Sequence, residues 1–319
     1  MTAALPEVLA IGTYDEAEHQ ALAQDFGAQF LVRTGAVASL DPAVRHAITA
    51  VAFKGYTGDN SFDRATMGAL PNLALIANYG VGYDAIDVKA ATALGIRITN
   101  TPDVLDDDVA DLAVAMLLMQ GREMQQAAEW ARSGRWETSG EYRLNRKISG
   151  GRAGIVGLGR IGREIAHRLA AFKMDIHYFS RRPKETPGWT WHADPVLLAR
   201  AVDYLMIALV GGAATRGFVS AQVIKALGPR GILVNISRGS TVDEPALLEA
   251  LENGGIAGAG LDVFWNEPKI DPRFYRLGNV VIQPHQGSGT TQTRAAMGQL
   301  QRDNIRAFLR GAPLLSAVN

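Results

Sequence analysis

The sequence predicts an α/β protein built from two doubly wound, parallel-sheet domains, and three observations carry that prediction. Short apolar runs alternate with helix-like stretches along nearly the whole chain, the rhythm of strand, helix, strand. At 319 residues the chain is long enough for two cores, given about 150 residues per domain. One apolar run, Ala153 to Val156, leads straight into Gly157-x-Gly159-x-x-Gly162 and then into a helical pattern.

The first hundred residues contain one set of elements. Val8 to Ile11 is a short apolar run, Asp15 to Gln24 is polar and helix-like, and Phe30 to Val32 is apolar again. Ala50 to Phe53 and Leu73 to Ala77 follow, each closed by turn residues. The second of these ends in Asn78-Tyr79-Gly80-Val81-Gly82-Tyr83-Asp84, a glycine-rich turn just past a strand, where ligands bind in parallel sheets. Thr101-Pro102 breaks the chain. Asp106, Asp107 and Asp108 then precede a segment, Val109 to Met119, that is apolar on nearly every face. Acids at a helix start complement its dipole, and an all-round apolar surface predicts burial at a domain or subunit interface, hence a homodimer. Gln125 to Ser149 lacks periodicity and reads as a linker or arm.

In the glycine stretch the first glycine permits a tight turn and the second lets a pyrophosphate approach the backbone. The third lets the next helix pack on the strand, with the N–H groups of Arg160 and Ile161 turned toward the anion. Ile161, Ile165 and Leu169 give that helix its apolar stripe. A second strand, Asp175 to Ser180, arrives where a ribose-reading residue sits, so this half is read as a Rossmann-like, dinucleotide-binding domain. The rhythm continues through Tyr204 to Leu209, Ile232 to Ile236, a helix from about Asp243 to Asn253 and Ile256 to Leu261. A final helix carrying Met297, Leu300, Ile305, Phe308 and Leu309 is expected to return to the first domain. The expected division is 1–100 with 286–319 as a discontinuous substrate domain, and 101–285 as the dinucleotide-binding domain.

Composition narrows the function. Acidic and basic residues balance at 32 each, so no global field attracts nucleic acid or anionic lipid. The absence of cysteine excludes disulfides, thiolate metal sites and cysteine nucleophiles. No apolar stretch is long enough to span a bilayer, and a cytoplasmic protein is expected. His19, His46, His167, His177 and His192 lack metal-ligand spacing and are read as surface or local structure, so no metal is expected.

The chemistry-bearing residues fall just past the late strands. Ser237-Arg238-Gly239 follows one, Asp262 ends the next, Glu267-Pro268 comes soon after, and Gln283-Pro284-His285 follows a third. Arginine can fork onto a carboxylate, histidine can pass a proton near neutral pH, and a neighbouring carboxylate can stabilise its imidazolium. A ketone reduction beside a nicotinamide needs these groups.

Together with Gly260-Leu261-Asp262-Val263-Phe264, Asn266-Glu267-Pro268 and the glycine motif, these stretches resemble the D-isomer-specific 2-hydroxyacid dehydrogenase family over nearly the whole chain. The resemblance is strongest to glyoxylate/hydroxypyruvate and hydroxyphenylpyruvate reductases. It implies a flavodoxin-like substrate domain beside the NAD(P)-binding one. It further implies that Arg238 grips the substrate carboxylate and polarises the keto oxygen, with the N–H groups of Val81 and Gly82 on the other carboxylate oxygen. His285 would protonate the new alkoxide, Glu267 would orient His285, Asp262 would contact the nicotinamide amide, and Ile236 would line the cofactor. An aryl-pyruvate reductase and a non-enzymatic nucleotide-sensing module of the same fold are the alternatives.

Two departures stand out. An NAD site usually places an acid at the end of the second strand, but Ser180-Arg181-Arg182 stands there. Two guanidiniums suit a 2′-phosphate, so NADP is expected, with NAD less preferred. Val210 to Thr215 replaces the proline-containing turn that related enzymes place along the cofactor.

Overall fold

The computed structural model describes residues 5–55 and 60–319. The chain divides into two compact units, Met1–Leu105 with Thr290–Asn319, and Asp106–Gly289.

The first unit alternates β1 (Val8–Gly12), α1 (Glu16–Phe26), β2 (Gln29–Leu31), α2 (Pro42–Ala47), β3 (Ala50–Lys54), α3 (Arg64–Gly68), β4 (Leu75–Asn78), α4 (Val88–Ala93) and β5 (Arg97–Thr99). Its five strands run parallel in the order β2-β1-β3-β4-β5, the flavodoxin-like arrangement. Alternation along β1 sends Leu9 and Ile11 to one apolar layer and Val8 and Ala10 to the other. A short, edge-lying β5 and the short helices α2, α3 and α4 carry little periodicity and escape the sequence pattern.

The second unit begins with α5 (Asp106–Gly121), α6 (Met124–Arg132) and α7 (Arg135–Ser139). It continues through β6 (Arg152–Val156), α8 (Arg160–Ala171), β7 (Asp175–Phe179), β8 (Thr190–His192), α9 (Pro195–Ala201) and β9 (Tyr204–Ile207). It closes with α10 (Ala221–Leu227), β10 (Ile232–Asn235), α11 (Glu244–Glu252), β11 (Gly258–Leu261) and β12 (Val280–Ile282). The seven strands are parallel, ordered β12-β11-β10-β9-β6-β7-β8, so the order reverses between β6 and β9. That reversal opens a crevice at the carboxyl ends of the strands.

The segment Gln125 to Ser149 is corrected from linker to helix over most of its first half. Met124–Arg132 is rich in strong helix formers, and Trp130 packs edge-on to Tyr142 with its indole N–H on the Gly140 carbonyl at 3.1 Å. Met124, Ala127, Ala128 and Ala131 recur at helical spacing there, in a stretch that is short and polar on average.

Within the second unit α5 lies against α8, β10, β11 and β12, which bury Val109, Ala110, Ala113, Met116 and Leu117. Arg168 of α8 reaches back to Asp111 at 2.5 Å and to Asp107 at 2.7 Å. The apolar helix is therefore covered largely by its own unit. Leu112, Leu118 and Met119 stay half-buried.

The last helix, α12 (Thr291–Leu309), returns to the first unit. Gln301 there donates to the Ala77 and Phe53 carbonyls, at 2.8 and 3.3 Å, and Ile305 enters the apolar layer of β1. Among the described residues no helix is long and apolar enough to cross a membrane.

Candidate active site

The glycine loop after β6 is shaped by steric need. A Cβ at Gly157, which has φ 99°, would lie 2.7 Å from the Ala208 carbonyl oxygen, and one at Gly162 would lie 2.1 Å from that of Gly157. Only glycine lets β6 turn and α8 close upon it. Gly159, by contrast, faces open space, and as the N-cap of the twelve-residue α8 it supplies no side-chain cap. The start of α8, with the N–H groups of Arg160 and Ile161, thus meets the loop at a bare backbone, an arrangement fitted to a pyrophosphate.

The turn after β7 is held by its neighbours. Ser180 turns its hydroxyl onto the Arg182 carbonyl at 2.6 Å, and the Trp191 indole N–H donates to the Ser180 carbonyl at 3.0 Å. Arg181 and Arg182 are exposed upon it, and no acid accompanies them. Ser180 itself is buried and braces the turn. Along the crevice, the segment Val210 to Thr215 closes through Thr215, whose hydroxyl donates to the Val210 carbonyl at 2.6 Å. A hydroxyl does there what a proline ring would otherwise do.

At the ends of β10, β11 and β12 the remaining residues converge. Arg238 has its backbone pinned: its N–H meets Ser237 Oγ at 2.6 Å, and its carbonyl accepts from Asn235 Nδ2 at 3.0 Å and Thr241 Oγ1 at 2.7 Å. A Cβ at Gly239 would fall 2.0 Å from the Phe264 carbonyl carbon, so glycine lets the arginine loop press directly on the loop that leads to Glu267. Ile236, just before, is buried.

Glu267 and His285 are brought together, with Nδ1 of the imidazole 2.7 Å from Oε2 of the carboxylate. The other carboxylate oxygen accepts from the Phe264 N–H at 2.8 Å, which fixes its direction. His285 occupies the left-handed region at φ 56°, a strained setting for a residue with a Cβ. What holds it there is Asp262. The Asp262 carbonyl accepts from the His285 N–H at 2.9 Å, and its carboxylate oxygens accept from Gln286 N–H at 2.6 Å and Gly287 N–H at 2.8 Å. Three successive amides converge on one residue. Burial pushes the Asp262 carboxyl above its ordinary value, while those amides and His285 pull the other way. Sequence reasoning assigned Asp262 to the cofactor and missed this clamp. It also missed Glu244, which accepts from the Trp265 N–H at 2.9 Å and whose carboxyl burial likewise raises.

In the first unit, the carbonyls of Gly80, Val81 and Gly82 in the loop after β4 are engaged. Asn78 Nδ2 donates to Gly80 and Gly82, at 3.0 and 2.9 Å, Asn100 Nδ2 to Val81 at 3.0 Å, and the Thr101 N–H to Gly80 at 3.1 Å. With the oxygens turned aside, the N–H groups of Val81 and Gly82 have no acceptor among the described residues. Amides presented so are suited to an anion.

His177 is local structure, held on both sides of its ring. Its Nδ1 meets His192 Nε2 at 2.9 Å and its Nε2 meets Asp175 Oδ2 at 3.0 Å. Asp175 and His177 share a face of one strand, a two-residue spacing that could have signalled the pair. His19 stacks on Phe30, His46 meets the Pro42 carbonyl and His167 packs on Trp189, as local structure. Among the described residues no group of three or more His, Asp or Glu is placed to hold a metal ion.

Comparison with known proteins gives this arrangement a context. Residues 114–287 match the profile of the D-isomer specific 2-hydroxyacid dehydrogenase, NAD binding domain. A hydroxyphenylpyruvate reductase of Plectranthus scutellarioides is 44% identical over 256 residues, 80% of this chain and 82% of that one. The structure of a 2-hydroxyacid dehydrogenase from Ketogulonicigenium vulgare Y25 superposes with a TM-score of 0.90 at 48% identity, covering 99% of this chain and 98% of that one. That of an NADPH-dependent glyoxylate/hydroxypyruvate reductase from Sinorhizobium meliloti, in complex with NADP and malonate, gives 0.91 at 42% identity, covering 99% and 97%.

Proposed function

The chain belongs to the D-isomer specific 2-hydroxyacid dehydrogenase family and is an oxidoreductase, and from that premise we propose that it uses NADPH to reduce a small 2-oxo acid, glyoxylate to its achiral 2-hydroxy acid or hydroxypyruvate to the D-2-hydroxy acid. The observation that carries the proposal is the Glu267–His285 pair, 2.7 Å apart, in the unit that also holds the glycine loop.

A dinucleotide held by its pyrophosphate at the glycine loop would supply the hydride from its nicotinamide. The protein supplies the rest. Arg238 forks onto the substrate carboxylate and draws electron density from the keto oxygen, and the Val81 and Gly82 amides take the second carboxylate oxygen. His285 keeps Nδ1 toward Glu267 and delivers a proton from Nε2 to the alkoxide as it forms. Glu267 fixes the ring and stabilises its cationic form, and Asp262 fixes the backbone beneath it. Arg181 and Arg182, on a turn that carries no acid, favour the 2′-phosphate and so NADPH over NADH.

Support for the substrate class comes from the relatives, whose names include hydroxyphenylpyruvate and glyoxylate/hydroxypyruvate reductases. A nucleotide-sensing module without turnover is not favoured by them. NADPH oxidation by the purified protein against glyoxylate, hydroxypyruvate and phenylpyruvates, with chiral analysis of the product, tests the reading. Preference for an aryl pyruvate would reassign the substrate, and no turnover on any of them would overturn the function.

We also propose a cytoplasmic homodimer, with Leu112, Leu118 and Met119 as apolar residues that α5 leaves half-buried. Light scattering should give about twice the 34.2 kDa of one chain. A mass of one chain would dismiss the dimer.

A further inference from the structure

We propose that Lys184 is a positioning residue of the dinucleotide site, a strap that ties the ribose-reading turn to the pyrophosphate-reading loop. The proposal rests on the reading of Arg181 and Arg182 as ligands of a 2′-phosphate.

The Lys184 ammonium donates to the Leu158 carbonyl at 2.6 Å. Leu158 stands between Gly157 and Gly159 and is 1% exposed, so the acceptor is an interior part of the glycine loop. The other end of the residue is equally fixed. Its N–H donates to the Tyr178 hydroxyl at 2.8 Å, and its carbonyl accepts from the same hydroxyl at 3.1 Å. Tyr178 is 1% exposed, a rigid post within β7. A residue further on, the Glu185 carbonyl accepts from Arg163 of α8 at 3.0 Å, a second tie to the helix that begins at the loop.

Lys184 therefore spans the two segments that a dinucleotide would touch. An exposed turn carrying Arg181, Arg182 and Lys184 repels itself and, left alone, would sample many arrangements. Fixing a long lysine side chain costs rotamer freedom, a cost met here before any ligand arrives. Ordering in advance raises affinity for whatever uses the ordered geometry. A cofactor with a 2′-phosphate uses both the loop and the turn, whereas NADH uses the loop and finds nothing for the arginines to hold. Loss of the strap should therefore weaken NADPH more than NADH. A purely structural lysine would affect both alike.

The test is a fluorescence titration of NADPH and NADH with the wild type, Lys184→Met, Lys184→Arg and the double variant Arg181→Ala/Arg182→Ala. Methionine keeps the stem and removes the donor. Lys184→Met should raise the Kd of NADPH roughly 5- to 20-fold and that of NADH less than about threefold, and Lys184→Arg should recover most of the difference. The NADH titration and the thermal unfolding profile report whether each variant is folded. Equal weakening of both cofactors by Lys184→Met, or none, would overturn the strap. Selective loss in the arginine variant without it in Lys184→Met would overturn the strap alone. Equal losses in the arginine variant would overturn the 2′-phosphate reading, and the selectivity assigned to Lys184 with it.

Discussion

The second unit puts charge to opposite uses in two places. Where β10, β11 and β12 end, the ionisable groups face inward: Asp262 is 1% exposed and clamps a strained backbone, and Glu267 divides its carboxylate between a backbone amide and His285. At the β7–β8 edge, Arg181 and Arg182 stand exposed on a turn braced from behind by Ser180, Tyr178, Trp191 and the Lys184 ammonium. The difference follows from the task. A proton must leave from one point at one moment, so its donor is fixed by carboxylates that backbone amides hold in turn. An anion arriving from solvent must be met by cations kept hydrated until contact, so only their backbone is fixed.

The largest expected effect breaks the inward cluster at its centre. His285→Gln should lower kcat by a factor on the order of 10² to 10⁴, the usual worth of general acid catalysis, while NADPH still binds. Steady-state kinetics and a cofactor titration check it, and retention of most of kcat would remove His285 from the proton step. At the exposed edge the effect should be smaller and selective. Arg181→Ala/Arg182→Ala should raise KM for NADPH roughly 10- to 100-fold with little change for NADH, the exposure of the turn keeping each contact at the modest end of charge-assisted values. Repeating the assay at higher salt should narrow the gap between wild type and variant.

Glu267→Gln sharpens the contrast instead of breaking it. The imidazole loses a countercharge 2.7 Å away but keeps a hydrogen-bond partner for Nδ1, so kcat should fall, by less than in His285→Gln, while NADPH still binds. A kcat equal to that of the wild type would separate Glu267 from the proton step. The smallest effect belongs to His192 beside the cofactor turn. Burial, and then the charge of His177, hold its imidazole below its ordinary value. The unfolded chain therefore takes up the proton first as pH falls below roughly 6.5, so this contribution to stability is present above that pH and lost beneath it. Thermal unfolding between pH 7 and 5.5 should show a shallower pH slope for His192→Gln than for the wild type.

The inward cluster was largely legible in the sequence, and the edge was legible only in part. Arg238, Glu267 and His285 follow strands in an order that a line of text preserves, and the glycine spacing encodes one turn and one close approach. Arg181 and Arg182 could be read because they end a strand whose position the glycines set. The bracing around them could not. Trp191 lies on β8, a three-residue edge strand without a pattern of its own, and Tyr178 and Lys184 meet through a hydroxyl that no periodicity marks. The Asp262 clamp was hidden for another reason. A carboxylate that binds two amides two dozen residues away looks, in sequence, like one that waits for a ligand. In the same way α6 was concealed by the shortness and overall polarity of its stretch, although Met124, Ala127, Ala128 and Ala131 recur at helical spacing.

The return of α12 to the first unit bears on how the protein is made. Gln301 and Ile305 complete a layer whose strands were synthesised long before them, since all of Asp106–Gly289 lies between. At about 5–20 residues per second on the ribosome, the earlier strands wait on the order of ten seconds or more for that helix. During the wait the second unit, continuous in the chain, can finish folding, while the face of β1, β3 and β4 meant for α12 remains uncovered. Synthesis thus leaves the older half of the chain exposed longest, and a chaperone that engages nascent apolar strands would find its target there and not in the half that carries His285.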